Sequence, residues 1–323
     1  MTETTTISAV KPPTGGIITQ FRHRRRRNGR RSALRVHPAL YLFPLPAVAL
    51  LVAFMAVPLL ESLQYAITNW DGYSATFDYV GLNNFVRAFT GDTLFLNALT
   101  NNVLYMLVVV IVQTILSLLL SLLLVKNSRG GIFLRALFFF PTILSSVSVA
   151  FIWRFMYEPN FGLLNGFLGA IGLHQFQSAF LGDDQQALYW VALVQVWAHA
   201  GQMMVVFIAG LQAIPQELYE AAELDGAGRW RRFTSITWPM LAPATTIVVA
   251  YVTIQSFKAF DLLLGIGGNP PKNSLDILST RIYTTFVNSH FGYAAAESVI
   301  FMVLILIVTV LQRRILRLTQ KQE

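Results

Sequence analysis

Pro215-Gln-Glu-Leu-Tyr-Glu220-Ala-Ala-Glu-Leu-Asp225-Gly-Ala-Gly-Arg-Trp-Arg-Arg-Phe-Thr-Ser-Ile236-Thr-Trp-Pro239 is a polar, charged stretch set between two strongly apolar runs. From Gln216 to Asp225 it reads as a helix. Pro215 suits the first turn, where its missing N–H costs nothing, and Glu217 sits where the helix dipole favours a carboxylate. Glu217, Glu220 and Glu223 recur at three-residue spacing and so share one acidic face. Ala221 and Ala222 leave room for a partner surface to come close. Gly226 stands where glycine ends helices, and Arg229, Arg231 and Arg232 open a second, basic segment. Local chemistry alone leaves two readings, a helix that docks a soluble partner or an ordinary solvated loop between spans.

The flanking runs decide the class. The chain has 323 residues, 54% hydrophobic and 12% charged, whereas soluble domains carry roughly 25% charged residues. A surface of that composition is solvated by lipid. Six runs reach the roughly 20 apolar residues needed to cross a bilayer. They lie at about 41–65, 97–125, 132–156, 187–212, 240–260 and 292–312. With the N-terminus in the cytoplasm, nineteen of the 24 Lys and Arg fall in the N-terminal tail, the second–third and fourth–fifth connections, and the C-terminus. Arg87, Arg154, Lys258, Lys272 and Arg281 are the rest. That asymmetry is the positive-inside pattern. The expectation is an all-α membrane protein with six transmembrane helices and both termini cytoplasmic, a single membrane domain over 37–323 behind a disordered basic tail, 1–36.

The run Arg22-His-Arg-Arg-Arg-Arg27 and the net charge of +8 read as orientation signals that touch anionic lipid, not as nucleic-acid binding. The tail lacks a continuous apolar stretch, so no cleavable leader is expected and the first span should stay as an anchor. Cysteine is absent, which excludes disulfides and thiolate chemistry. The five His are scattered without metal-ligand spacing, so no metal site is expected. Neither a Gly-X-Ser-X-Gly elbow nor a Gly-X4-Gly-Lys-Ser/Thr phosphate loop occurs. The chain therefore reads as a non-enzyme with no catalytic residues, and an ATP-driven role must borrow its ATP site. Ion-coupled carriers favour carboxylates in span centres, which are costly to insert, and often show internal repeats. Neither feature is visible here.

The connections carry smaller signals. Residues 66–96 and 261–291 read as outer loops, the second with the turn-rich Gly265-Ile-Gly-Gly-Asn-Pro-Pro271. Phe161–Ile171 fits a short amphipathic helix in the interface. Polar groups inside spans face the bundle interior or water. The candidates for a pathway are Gln195, Trp197, His199 and Gln202 in the fourth span, and Gln255, Ser256, Phe257, Lys258 and Asp261 in the fifth. Lys258 and Asp261, three apart, are expected to pair on one helix face.

The order Glu220-Ala221-Ala222, three residues, Gly226, nine residues, Ile236, two residues, Pro239 resembles the cytoplasmic signature of the membrane subunit of binding-protein-dependent ATP-binding-cassette importers. Trp238 stands where a leucine usually precedes the final proline. Tyr79-Val-Gly-Leu-Asn-Asn-Phe85, Pro159-Asn-Phe-Gly-Leu-Leu-Asn165, Ser256-Phe-Lys-Ala-Phe-Asp261 and Gly292-Tyr-Ala-Ala-Ala296 are similar to elements of its maltose, multiple-sugar and glycerol-phosphate permeases. The resemblance implies the type I importer transmembrane fold, a bacterial plasma-membrane location and a coupling helix at about 215–227. It implies four kinds of contact besides lipid: a sister permease, two ATPase subunits that bind the ATP and magnesium, an extracytoplasmic sugar-binding protein, and the carbohydrate itself. Glu220, Ala221, Ala222, Asp225, Gly226, Ile236 and Pro239 would form the contact with the ATPase.

Overall fold

The computed structural model describes residues 42–320, with side chains through residue 315, so the tail expected over 1–36 lies outside the described residues. These divide between Met55 and Ala56 into a short N-terminal unit and the main bundle. Nearly all of it is helical; among the described residues the β-structure is a single bridge between Thr68 and Tyr79. Four helices are long and apolar enough to cross a bilayer: α1 (Leu45–Tyr65), α3 (Thr93–Leu124), α7 (Ala187–Gln212) and α13 (Phe291–Gln320). Two bent pairs bring the number to six where each pair is counted as one span. They are α4 (Arg129–Ile143) with α5 (Ser146–Met156), bent by 100°, and α9 (Arg229–Met240) with α10 (Ala242–Phe257), bent by 63°. Between them lie α2 (Asn83–Thr90), α6 (Leu163–Ala170), α8 (Gln216–Leu224), α11 (Phe260–Gly267) and α12 (Leu278–Val287).

The runs expected to cross at 132–156 and 240–260 are thus broken, and prolines explain where. Pro141 lies in the 3-10 turn that ends α4, after which Leu144 and Ser145 are extended. Pro239 and Pro243 flank the bend at Leu241. A proline inside a helix clashes with the carbonyl four residues back and removes a donor. The helices absorb this by widening. Phe54, four before Pro58, lies in the π turn Val52–Ala56, and Ser235, four before Pro239, lies in the π turn Phe233–Thr237. Such single-turn π insertions relieve a strained hydrogen-bond ladder.

Helix α7 is the centre of the bundle: 67% of its most apolar window is buried, against 0% for α1. Its Val191, Val194, Ala198 and Phe207 join Tyr105 and Val109 of α3 and Val248 and Val252 of α10 in one core. Small and hydroxyl side chains let the backbones approach, as in membrane helix pairs generally. Ser117 Oγ donates to Ala200 O at 2.9 Å and Thr142 Oγ1 to Ala198 O at 2.8 Å. Gly201 is the tightest crossing. A Cβ there would land on the Phe138 carbonyl and lie 2.7 Å from Phe139 N, both backbone atoms of α4. Gly201→Ala should therefore overpack the α4–α7 crossing and destabilise the protein by about 1–3 kcal/mol or more. Thermal unfolding in detergent checks this against Gly166→Ala, where an added Cβ meets nothing within 4 Å.

The helix ends explain several charges. The α3 C-terminus leaves orphan carbonyls. Arg135, counted among the orienting cations, supplies their donors: Nε reaches Leu124 O at 2.7 Å and Nη2 reaches Val125 O at 2.8 Å. At the other end Asp92 caps α3 by accepting from Phe95 N at 2.9 Å. The two stretches read as outer loops are largely ordered. Residues 66–96 contain α2, and 261–291 contain all but the first residue of α11 and the whole of α12. Asn97 and Asn101 of α3 donate to Asn273 O at 2.6 and 2.8 Å and pin the turn between those two helices. The amphipathic stretch Phe161–Ile171 does form a helix, α6, entered through Glu158. That carboxylate accepts from the Phe161 and Asn160 N–H groups, which hold it below the ordinary carboxylate range.

Candidate functional site

Helix α8 forms as its residues require and stands proud of the bundle. Pro215 is its N-cap, with extended backbone, and Glu217 occupies the first turn. At the far end Gly226 takes φ +72°. Ala227 N–H then reaches Ala222 O at 2.8 Å and Gly226 N–H reaches Glu223 O at 3.0 Å, the double closure of a Schellman turn. No residue of α8 is buried, and Leu224 is 90% exposed. Its acidic face is partly engaged. Glu223 pairs with Arg232 at 3.1 Å, a surface bridge of little energetic weight. Glu220, Ala221, Asp225 and Gly226 face outward. Ile236 and Pro239 do not share that surface. Both are half-buried, and Ile236 packs against the main core. The join between the two segments is Tyr219, whose hydroxyl lies 3.0 Å from Thr237 Oγ1 and whose ring packs on the same core.

A cavity of about 250 Å³ opens between α7 and α10, its mostly apolar wall carrying several polar side chains. Gln195 and His199, one turn apart on α7, form one wall; Tyr251, Ile254, Gln255 and Lys258 form the other. The latter four stand at i, i+3, i+4 and i+7, a single helix face. Ser146, brought in by the break between α4 and α5, and Asp261 complete the lining. Gln255 Oε1 is buried without a partner, the state of an acceptor that needs a ligand or water.

The sequence candidates thus separate. Gln195, Gln255, Lys258 and Asp261 come together. Gln202 sits beside them, donating to Tyr251 OH at 3.2 Å. Trp197, Ser256 and Phe257 do not line the cavity. Two residues along a helix is about 200° of rotation, so Trp197 turns away from the Gln195 face and packs edge-on against Trp153 at 5.3 Å. Ser256 is buried, donating to Thr253 O at 2.7 Å, and Phe257 packs against Phe301. Lys258 and Asp261 form no ion pair. Lys258 is the C-cap of α10 and Asp261 lies in α11, so the helix that would have aligned them ends between them. Tyr251 and Ser146 were not legible as pathway residues, because hydroxyls in apolar runs carry no spacing signal.

An ionic cluster also escaped the sequence reading. Arg281 of α12 reaches Asp92 at 3.3 Å and Glu297 of α13 at 3.7 Å, with Glu297 fully buried. Tyr293 OH donates to Asp92 at 3.0 Å, and Arg87 lies 4.3 Å over the Tyr293 ring. Burial alone would raise the Asp92 carboxyl; the Phe95 N–H, the Tyr293 hydroxyl and Arg281 outweigh it and hold it below the usual range. Asp276 nearby is pushed upward, chiefly by burial. Its members lie up to about 200 residues apart in sequence, so no local motif marks them. Among the described residues, no group of three His, Asp or Glu is placed to hold a metal ion.

Residues 113–321, from mid-α3 through the cavity, α8 and α13, match the family of binding-protein-dependent transport system inner membrane components. The chain belongs to that family. As a permease of this kind it is similar along most of its length to curated relatives. The probable ABC transporter permease protein YurN of Bacillus subtilis is 34% identical, covering 88% of this chain and 97% of the relative. The diacetylchitobiose uptake system permease protein NgcF of Streptomyces coelicolor is 35% identical, covering 84% and 80%. Among solved structures, a bacterial alginate ABC transporter in complex with an alginate pentasaccharide-bound periplasmic protein contains a chain of the same fold. It superposes with TM-score 0.75 at 23% identity, covering 88% of this permease and 95% of that chain. The nearly all-helical membrane architecture is therefore that of an ABC importer's transmembrane subunit.

Proposed function

We propose that this permease is one of two membrane subunits of an ATP-driven carbohydrate importer in the plasma membrane, and that α8 couples ATP hydrolysis to movement of the cavity walls. One observation carries the reading. Helix α8 is the link between the two helices that line the cavity, α7 with Gln195 and His199 and the α9–α10 pair with Tyr251, Gln255 and Lys258. A force on α8 therefore acts on both walls. Tyr219, bonded to Thr237 and packed on the core, makes the linkage stiff. Glu220 offers a free carboxylate to a cation of the ATPase, while Ala221 and Gly226 permit close approach.

The relatives' names support the cargo. NgcF serves diacetylchitobiose uptake, and others similar to this chain are a multiple sugar-binding transport system permease and a trehalose/maltose transport system permease. The cavity offers amide, hydroxyl, ammonium and carboxylate groups, which suit a neutral polyhydroxylated ligand. The remaining parts of the machine are a sister permease across the pathway, two ATPase subunits holding ATP and magnesium, and an extracytoplasmic sugar-binding protein. This chain contributes no ATP site and no bound cofactor of its own.

The test is ATPase activity of the co-purified complex in lipid, with and without loaded binding protein. Wild type should be stimulated. Glu220→Ala should lose about tenfold or more of that stimulation, the size expected when one partner of a desolvated charge pair is truncated. Equal stimulation in the variant would remove Glu220 from the transmission contact.

A further inference from the structure

A second cavity, about 500 Å³, lies toward the end of the bundle that the cation distribution assigns to the outer face. That volume is in the range of roughly 300–1,000 Å³ typical of small-molecule sites. Its walls are unlike those of the first cavity. Tyr65, Trp70, Phe260, Tyr283, Phe286 and Phe291 present rings, and Glu61, Ser62, Ser279 and Ser298 add hydrogen-bonding groups among them. The rings are held in place by one another. Trp70 stacks on Tyr65 at 4.3 Å, Phe291 sits 5.6 Å from Trp70 and 4.4 Å from Phe286, and Tyr283 meets Phe260 edge-on at 5.3 Å. Ser279 Oγ is buried without a hydrogen-bond partner.

The two cavities are neighbours along the chain. Phe260 lines the aromatic one, while Ala259 and Asp261 on either side of it line the first. We propose that the aromatic cavity is an outer carbohydrate-binding compartment, which receives the sugar on ring faces before it passes Phe260 to the first cavity. This rests on the importer reading above.

The chemistry favours a sugar over an acyl chain. One face of a pyranose carries C–H groups that are slightly positive, and the face of an aromatic ring is negative. Stacking therefore holds a sugar ring while leaving its hydroxyl edge free, and that edge finds Glu61 and Ser279 here. A lipid tail needs neither flat faces nor a carboxylate beside it. Ring faces also accept sugars in several rotations, so the compartment binds without fixing one pose and lets the ligand move on. Tyr283 and Phe286, three apart on α12, share the face turned into the cavity.

The experiment uses the complete transporter in proteoliposomes, a panel of radiolabelled disaccharides that includes diacetylchitobiose and maltose, and saturating loaded binding protein. It reads sugar delivered per ATP hydrolysed. Tyr283→Leu with Phe286→Leu keeps the cavity apolar but removes two ring faces. It should lower that ratio about tenfold while binding-protein-stimulated ATPase persists. Tyr283→Phe with Phe286→Tyr keeps the faces and should stay within about twofold of wild type. A leucine pair that transports like wild type would overturn the proposal, since apolarity alone would then suffice. Loss in both pairs alike would overturn it too, because packing would be the cause. Wild-type complex that carries none of the sugars, yet shows stimulated ATPase with another loaded binding protein, would overturn the carbohydrate reading itself and this compartment with it.

Discussion

Gly226→Leu should insert and fold, yet abolish transport. Gly226 sits at φ +72°, a conformation that costs an ordinary L-residue about 1–2 kcal/mol. A Cβ at this position meets nothing within 4 Å in the chain itself. The bundle therefore loses little, and thermal unfolding should stay near that of wild type. The added side chain instead projects from the exposed end of α8, beside Leu224 and Asp225, the surface proposed above to meet the ATPase. Binding-protein-stimulated ATPase and sugar uptake should both fall more than about tenfold, since even about 1.4 kcal/mol lost at the contact is a factor of ten. Gly226→Asn, which tolerates the left-handed conformation and carries a smaller polar group, should keep more activity. Wild-type uptake by the leucine variant would mean that nothing docks at this end of α8.

Arg281→Met is expected to be the most destabilising single change among the charged residues. The guanidinium is the shared counter-ion of Asp92 and the fully buried Glu297. Removing it leaves buried carboxylates uncompensated, a loss of about 3–5 kcal/mol, which for a chain of this length lowers Tm by on the order of 10 °C. Arg281→Lys should recover only part, because a point charge cannot serve two carboxylates as a planar fork does. Asp92→Asn and Glu297→Gln added to Arg281→Met should restore much of the stability.

The pH dependence carries a definite sign. In wild type the Asp92 pKa lies below its ordinary value, so its contribution is present above the usual carboxylate range and fades as pH falls through the lowered value. Without Arg281 the Asp92 carboxyl loses one of the groups that hold it low. The deficit of Arg281→Met relative to wild type should narrow as pH falls below about 5, through the carboxylate range. A pH-independent deficit would mean that Arg281 acts through packing of its stem alone.

Most of the membrane architecture was legible in the chain, for reasons that particular residues show. Apolar length marks α1, α3, α7 and α13, because crossing hydrocarbon demands it whatever the neighbours are. The Pro215 start and Gly226 stop of α8 follow from local backbone chemistry, a missing donor at one end and a positive φ at the other. The bends at Pro141 and Leu241 were less legible. A proline in a membrane helix is tolerated as often as it breaks one, and whether the chain turns depends on what can satisfy the freed carbonyls.

The pathway was half legible for a related reason. Polar type selected Gln195, Gln255, Lys258 and Asp261, which the cavity brings together, but also Trp197, Ser256 and Phe257, which face elsewhere. Facing is a property of helix rotation against neighbours, and it also separates Lys258 from Asp261 by ending α10 between them.

Read alone, the sequence already marked a multi-helix membrane protein and a capped helix over Gln216–Leu224 between two of its spans. Hydropathy, charge placement and backbone propensity act over a few residues and need no partner. Interhelical packing decided that α7 is the centre of the bundle, that Arg281 binds Asp92 and Glu297, and that Phe260 lines one cavity while Ala259 and Asp261 line another. Those depend on contacts between helices far apart in the chain, where close packing at points such as Gly201 selects one arrangement among the many that the same apolar faces would allow.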